Sequence, residues 1–118
     1  MNEAAVSSKL RVALNEAGAK ADKVSDRFHA CRPDLSVCHC GRTIVIETKI
    51  HPNVPTFGQA HELTEYVQHG AQAYVLQYNK ADKRLLFTRC NDGLRMPFFK
   101  FKDAAQCLLQ QSCLLTNR

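Results

Sequence analysis

The sequence predicts an α/β domain, a mixed sheet of four to five strands flanked by helices. A strand-like run, a helical run and another strand-like run follow one another between Thr43 and Tyr78, the pattern of a βαβ unit with parallel strands. A hairpin pattern precedes that unit, and an amphipathic helix opens the chain. With 118 residues, 45% of them hydrophobic and 23% charged, the chain fits a single ordered domain over 1–118, able to bury a core without disulfides or a structural metal.

Residues 3–17 repeat apolar side chains at helical spacing (Val6, Leu10, Ala13, Leu14, Ala17), and Gly18 is the stop signal. At about 100° per residue, Glu3 falls within that apolar stripe while Glu16 points away. A carboxylate in the first turn meets the positive end of the helix dipole, which is one reason for it to be there. Residues 19–33 are polar and mixed, a loop or an irregular edge strand. Asp34–His39 and Thr43–Lys49 read as hairpin strands joined by a turn at Cys40-Gly41-Arg42. The second strand is almost continuously apolar and β-branched, as expected of a central strand covered on both faces. Thr56–His69 reads as a helix with Phe57, Ala60, Leu63 and Val67 on its inner side and Gly70 at its end. Ala73–Tyr78 is a further buried strand. Residues 84–89 and 95–101 supply one or two more, with Phe99 and Phe101 sharing the core side by alternation, and Asp103–Leu115 closes the domain as a helix.

The formal charge of +5 favours a polyanionic partner, because each Lys or Arg placed on a phosphate releases counterions. The basic residues are scattered, so any such surface must be assembled by the fold. No signal-peptide pattern and no apolar span of about 20 residues stands in the sequence, so no membrane role is expected. The expectation is an intracellular, cytoplasmic protein whose six cysteines are thiols. Cys38-His39-Cys40, with Cys31 upstream, has the residue types of a zinc site, but no second pair at ligand spacing accompanies it. Strand alternation makes Cys38 and Cys40 small buried fillers instead.

Antiparallel pairing brings Asp34 and Glu47, thirteen residues apart, to one end of the sheet. Glu47 and Lys49 project from the same face of their strand. Two carboxylates about 4 Å apart repel by roughly 4 kcal/mol at an effective dielectric of 20, so a cation belongs between them. Lys49 alone, as a structural ion pair, is one answer. A divalent Mg²⁺ or Mn²⁺ is the other, since such ions take carboxylate, water and phosphate oxygens, polarise a phosphoryl group and activate water. Lys49 then orients or helps deprotonate that water, and the chemistry is phosphodiester hydrolysis.

These residues resemble the PD-(D/E)xK nuclease superfamily and, within it, the virus-type replication-repair nuclease (VRR-NUC) group. That group has a glutamate on the first helix, a PD, an E-x-K, a glutamine early in the next helix and a small turn into a strand. Glu3, Pro33-Asp34, Glu47-Thr48-Lys49, Gln59 and Gly70-Ala71 stand in that order. The resemblance implies a restriction-endonuclease-like fold and a Mg²⁺-dependent endodeoxyribonuclease. It implies a preference for branched, junction or flap DNA in replication, repair or recombination, and a homodimer without nucleotide cofactor. It also implies Glu3, Asp34, Glu47 and the Thr48 carbonyl as metal ligands, Lys49 beside the attacking water and Gln59 in support. Cys31 stands where the group often has glycine. Thr56-Phe57-Gly58-Gln59 equally fits a T-x-x-Q capping box, which would tie Gln59 to its own helix. Arg27, His29, Arg32 and His51 flank the motif and are candidate phosphate contacts, against a plain solvated surface. The rival readings are a DNA-binding or assembly module that kept the fold without cleavage, and a metal-independent RNA-binding domain.

Overall fold

The structure, a computed structural model, describes residues 1–24 and 31–116, with side chains as far as Gln111. In chain order the elements are α1 (Glu3–Glu16), β1 (Lys20–Lys23), β2 (Leu35–His39), β3 (Arg42–Ile50), α2 (Phe57–Gln68), β4 (Gln72–Asn79), β5 (Arg84–Arg89), β6 (Arg95–Phe98) and α3 (Phe101–Thr116). The sheet order is β1-β2-β3-β4-β5-β6. Neighbouring strands are antiparallel except β3 and β4, which are parallel and joined through α2.

Six strands exceed the four to five expected. The addition is β1, an edge strand with only Ala21 buried, whose position is set by a side chain rather than by alternation. Asn15, near the end of α1, donates through Nδ2 to the Ala21 carbonyl and accepts from the Ala21 N–H, both at 3.0 Å. An isolated KADK carries no such information.

Asn2 caps α1 by accepting from the Ala5 N–H at 2.9 Å. Gly18, at φ +101°, closes it as Ala19 N–H reaches back to the Leu14 carbonyl. Val6, Leu10 and Leu14 are fully buried, whereas Ala17, expected in the stripe, is the exposed C-cap. The β2–β3 turn is Cys40-Gly41, both at positive φ (51° and 71°), the backbone that matches hairpin twist.

Helices α1 and α3 pack against one sheet face through Leu10, Leu14, Leu108, Ile44, Ile46, Leu76 and Phe87. Helix α2 packs on the other through Leu63, Tyr66 and Val67 against Val45, Ala73 and Val75. Strand β3 is therefore buried continuously from Ile44 to Thr48, as its composition predicts. Burying each such Leu or Ile contributes roughly 2 kcal/mol, enough to hold a polar residue in the same strand.

Three burial expectations fail for local reasons. Helix α2 meets the apolar sheet surface only from its second turn, so Phe57 is 92% exposed and Ala60 is exposed too. Alternation stops when β6 ends at Phe98 and α3 starts at Phe101, so these two pack against the core and Phe99 is 68% exposed. Cys38 and Cys40 are exposed thiols, one next to the last hairpin pair before the turn and one in the turn itself. No helix is long and apolar enough to cross a membrane among the described residues.

Candidate active site

Hairpin register builds the site. Leu35 pairs with Ile46, which sets Asp34 beside Glu47 one step further along the ladder. Asp34 is held from both sides of its residue: its Oδ2 accepts from the Thr48 N–H at 2.7 Å, and its carbonyl accepts from the Val24 N–H at 3.0 Å. Glu47 and Lys49 share the β3 face that carries Val45, the face under α2. This is the rim convergence that the sequence predicts.

Glu47 is 3% exposed, and its Oε2 is buried without a hydrogen-bond partner. Lys49 Nζ lies 4.0 Å from Oε1, at the outer limit of an ion pair. Burial first, then the Asp34 charge and side-chain hydrogen bonding to Asp34, push the Glu47 carboxyl from 4.5 up to about 8. Lys49 pulls the other way, and Glu3 adds a smaller push upward. The expected carboxylate repulsion is thus present, and Lys49 answers only part of it. An orphaned buried oxygen beside a second carboxylate is donor chemistry that suits a hard divalent cation.

Glu3 joins this group incompletely. It opens α1 on the opposite side of the sheet from Glu47 and shares with Asp34 a cavity of about 250 Å³. Among the described residues no three His, Cys, Asp or Glu side chains converge closely enough to hold one ion, so the three-carboxylate set is not assembled in this geometry. The same finding covers Cys38, His39 and Cys40.

The helix start claims Gln59. Its Oε1 accepts from the Thr56 N–H at 2.9 Å while its own N–H donates to Thr56 Oγ1 at 3.2 Å, a complete capping box. Arg32 turns to α2, donating to Tyr66 Oη at 3.0 Å with Nε 3.9 Å from Glu62. His51 is exposed in the turn after β3, its N–H bonded to the Tyr78 carbonyl at 2.8 Å. Arg27 and His29 lie outside the described residues. Cys31 sits against the start of α2, where a Cβ on Gly58 would fall 2.5 Å from its Sγ. A glycine at 58 therefore makes room for the side chain at 31.

Sequence reasoning missed Ser7. Its Oγ donates to Thr48 Oγ1 at 2.9 Å with both residues buried, joining the helix that carries Glu3 to the middle residue of Glu47-Thr48-Lys49. The signal was available, since Ser7 is a polar residue set inside the Val6, Leu10, Leu14 stripe.

No protein-family model matches the chain, and no curated protein matches it. Among solved structures it is similar to Hjc, a Holliday junction resolvase from the archaeal hyperthermophile Archaeoglobus fulgidus, at 20% identity and a TM-score of 0.58. The likeness covers 78% of this chain and 84% of that one. It shows that the six-stranded sheet with its three helices has the restriction-endonuclease-like fold of that resolvase.

Proposed function

We propose that the chain is a metal-dependent endodeoxyribonuclease selective for branched DNA, of the VRR-NUC kind. Glu47 carries this reading: a carboxylate 3% exposed, set beside Asp34, with one oxygen unpartnered and its carboxyl pushed up to about 8. A domain of ordinary stability tolerates so costly a group where chemistry needs it. Asp34, Glu47 and the Thr48 carbonyl would hold Mg²⁺ or Mn²⁺, with Glu3 approaching from α1. The ion would supply polarisation of the scissile phosphate and a lowered pKa of water.

The remaining work falls to the chain. The Thr48 N–H keeps one Asp34 oxygen pointed inward, and the Ser7–Thr48 bond keeps α1 in step with β3. Lys49, 11% exposed along its side chain, orients the attacking water and offsets charge developing on the phosphoryl oxygens. His51, Arg27 and His29 are assigned to the DNA backbone, and the charge of +5 draws DNA in. Gln59 serves first as a helix cap. Branched DNA is the substrate chosen because a junction resolvase has this fold. A homodimer follows, since paired cuts at a junction call for two centres.

The test incubates four-way-junction, flap and linear DNA with Mg²⁺, Mn²⁺ or EDTA, using the wild type and Lys49→Ala. Branched DNA is cut with metal and survives with EDTA or Lys49→Ala. Binding without cutting under every condition would instead select the inactive module. Sedimentation of the free protein reads the dimer.

A further inference from the structure

We propose that the cavity between α1 and the ends of β1 and β2 seats a second backbone phosphate of the DNA strand, one next to the phosphate that is cut. The inference rests on the nuclease reading and adds two residues that the motif does not contain, Arg11 and Lys23. The cavity measures about 250 Å³, and its lining carries both signs: Glu3 and Arg11 from α1, Asp34 and Lys23 from the sheet end, with Ser8 also on it.

Arg11 is half-buried on α1 and Lys23 is the exposed last residue of β1. Neither has a hydrogen-bond or ion-pair partner for its charged group among the described residues. Two arginines that are held by side chains behave differently. Arg89 is held by Asp92 through two bonds, at 2.9 and 2.6 Å, and Arg32 is held by Tyr66 and Glu62. A half-buried guanidinium that lines a cavity and has no hydrogen-bond partner of its own has free donors, and a phosphodiester oxygen matches them.

Position completes the argument. Lys23 pairs with Leu35, and the next residue, Val24, donates to the Asp34 carbonyl, so β1 delivers Lys23 to the same sheet end as the carboxylate pair. Asp34 therefore borders both the Glu47 centre and this cavity, and a strand whose scissile group lies at the first has a neighbouring phosphate within reach of the second. Two acids and two bases cancel on the cavity wall. A divalent cation held at Asp34 would leave a positive surplus that an entering phosphate neutralises.

The experiment uses the full chain carrying Lys49→Ala, so that DNA survives in Mg²⁺, and follows binding of a labelled four-way junction by anisotropy between about 50 and 200 mM salt. Adding Arg11→Gln with Lys23→Gln should flatten the plot of log K against log salt by about 2 and weaken binding roughly tenfold or more at the low-salt end. Lys9→Gln with Arg95→Gln removes the same charge from the outer side of α1 and the far end of β6, and should leave the slope unchanged. Equal slopes for the two pairs would overturn the assignment. Lys23→Gln alone, at an exposed position, should lower the slope by about 1 and serves if the double variant melts. Wild-type cleavage runs in parallel. Cleavage with no slope change sinks the cavity alone. A slope change without cleavage sinks the nuclease reading and leaves the phosphate seat, and a parent that binds no DNA sinks both.

Discussion

Glu47 and Arg89 are both ionisable and nearly buried, 3% and 6% exposed, in strands separated only by β4, yet the protein treats them in opposite ways. Arg89 faces α3 and is fully answered: Asp92 takes it bidentately, Gln111 accepts from Nη1 at 3.4 Å, and Tyr74 lies beside it. The partner shows the benefit, since hydrogen bonds from Arg89, then from the Leu94 amide, lower the Asp92 carboxyl to about 2. Glu47 faces α2 with one oxygen orphaned, a like charge next to it and its carboxyl raised. A buried ion that serves architecture is compensated where it stands. One that is left short of partners marks the place where something is meant to bind.

Five measurements sharpen or break that contrast. The largest effect is the pH dependence of the metal-free protein. Glu47 binds a proton in the native state that the unfolded chain has lost, so its contribution is complete below about pH 4.5 and is lost as pH rises through about 8. The span is on the order of 5 kcal/mol. Thermal melts in EDTA should fall across that window, and Glu47→Gln should flatten them; parallel curves for both proteins would mean that Glu47 is not held neutral. Next, Lys49→Ala should lower cleavage of junction DNA by about 10³-fold, roughly 4 kcal/mol, while the melting temperature barely moves.

Arg89→Ala should do the reverse, costing about 3 kcal/mol in denaturant titrations, because Tyr74 and Gln111 lose their shared partner while half-exposed Asp92 regains water. If Arg89→Ala proved neutral, the contrast between the two regions would dissolve. Ser7→Ala and Thr48→Val should each cost about 1–2 kcal/mol, with a coupling of about 1 kcal/mol in the double variant. Additive effects would rule out the α1–β3 tether. The smallest change is Gln59→Ala, about 0.5–1 kcal/mol from the lost cap. Gln59→Glu keeps a capping acceptor, so unchanged cleavage in that variant assigns Gln59 to the helix start alone.

Much of the architecture was legible. Helical spacing located α1, the β-branched run located β3, and Thr56 with Gln59 announced the start of α2 in chemistry that neighbouring residues enforce on one another. The Asp34–Glu47 encounter was legible because antiparallel pairing across a short turn brings both to one sheet end; that the expected three-residue turn at Cys40-Gly41-Arg42 tightens to Cys40-Gly41, which sets the register, was not. Less visible were β1, held through Asn15, the Ser7–Thr48 bond across 41 residues, the exposure of Phe57 and Phe99, and the turning of Arg32 toward Tyr66. Each of these depends on which surface happens to lie opposite.

Local chemistry alone thus decided the elements other than β1, the order of Glu3, Asp34, Glu47 and Lys49, and the meeting of the two hairpin carboxylates. Assembly in three dimensions decided how deeply Glu47 is buried, how far Lys49 falls short of neutralising it, why Glu3 stands apart, and that Arg11 and Lys23 line one cavity with Asp34. The division has a physical cause: turns and periodicity act over a few residues, whereas desolvation and Coulomb energy depend on everything packed around a charge, whatever its distance along the chain.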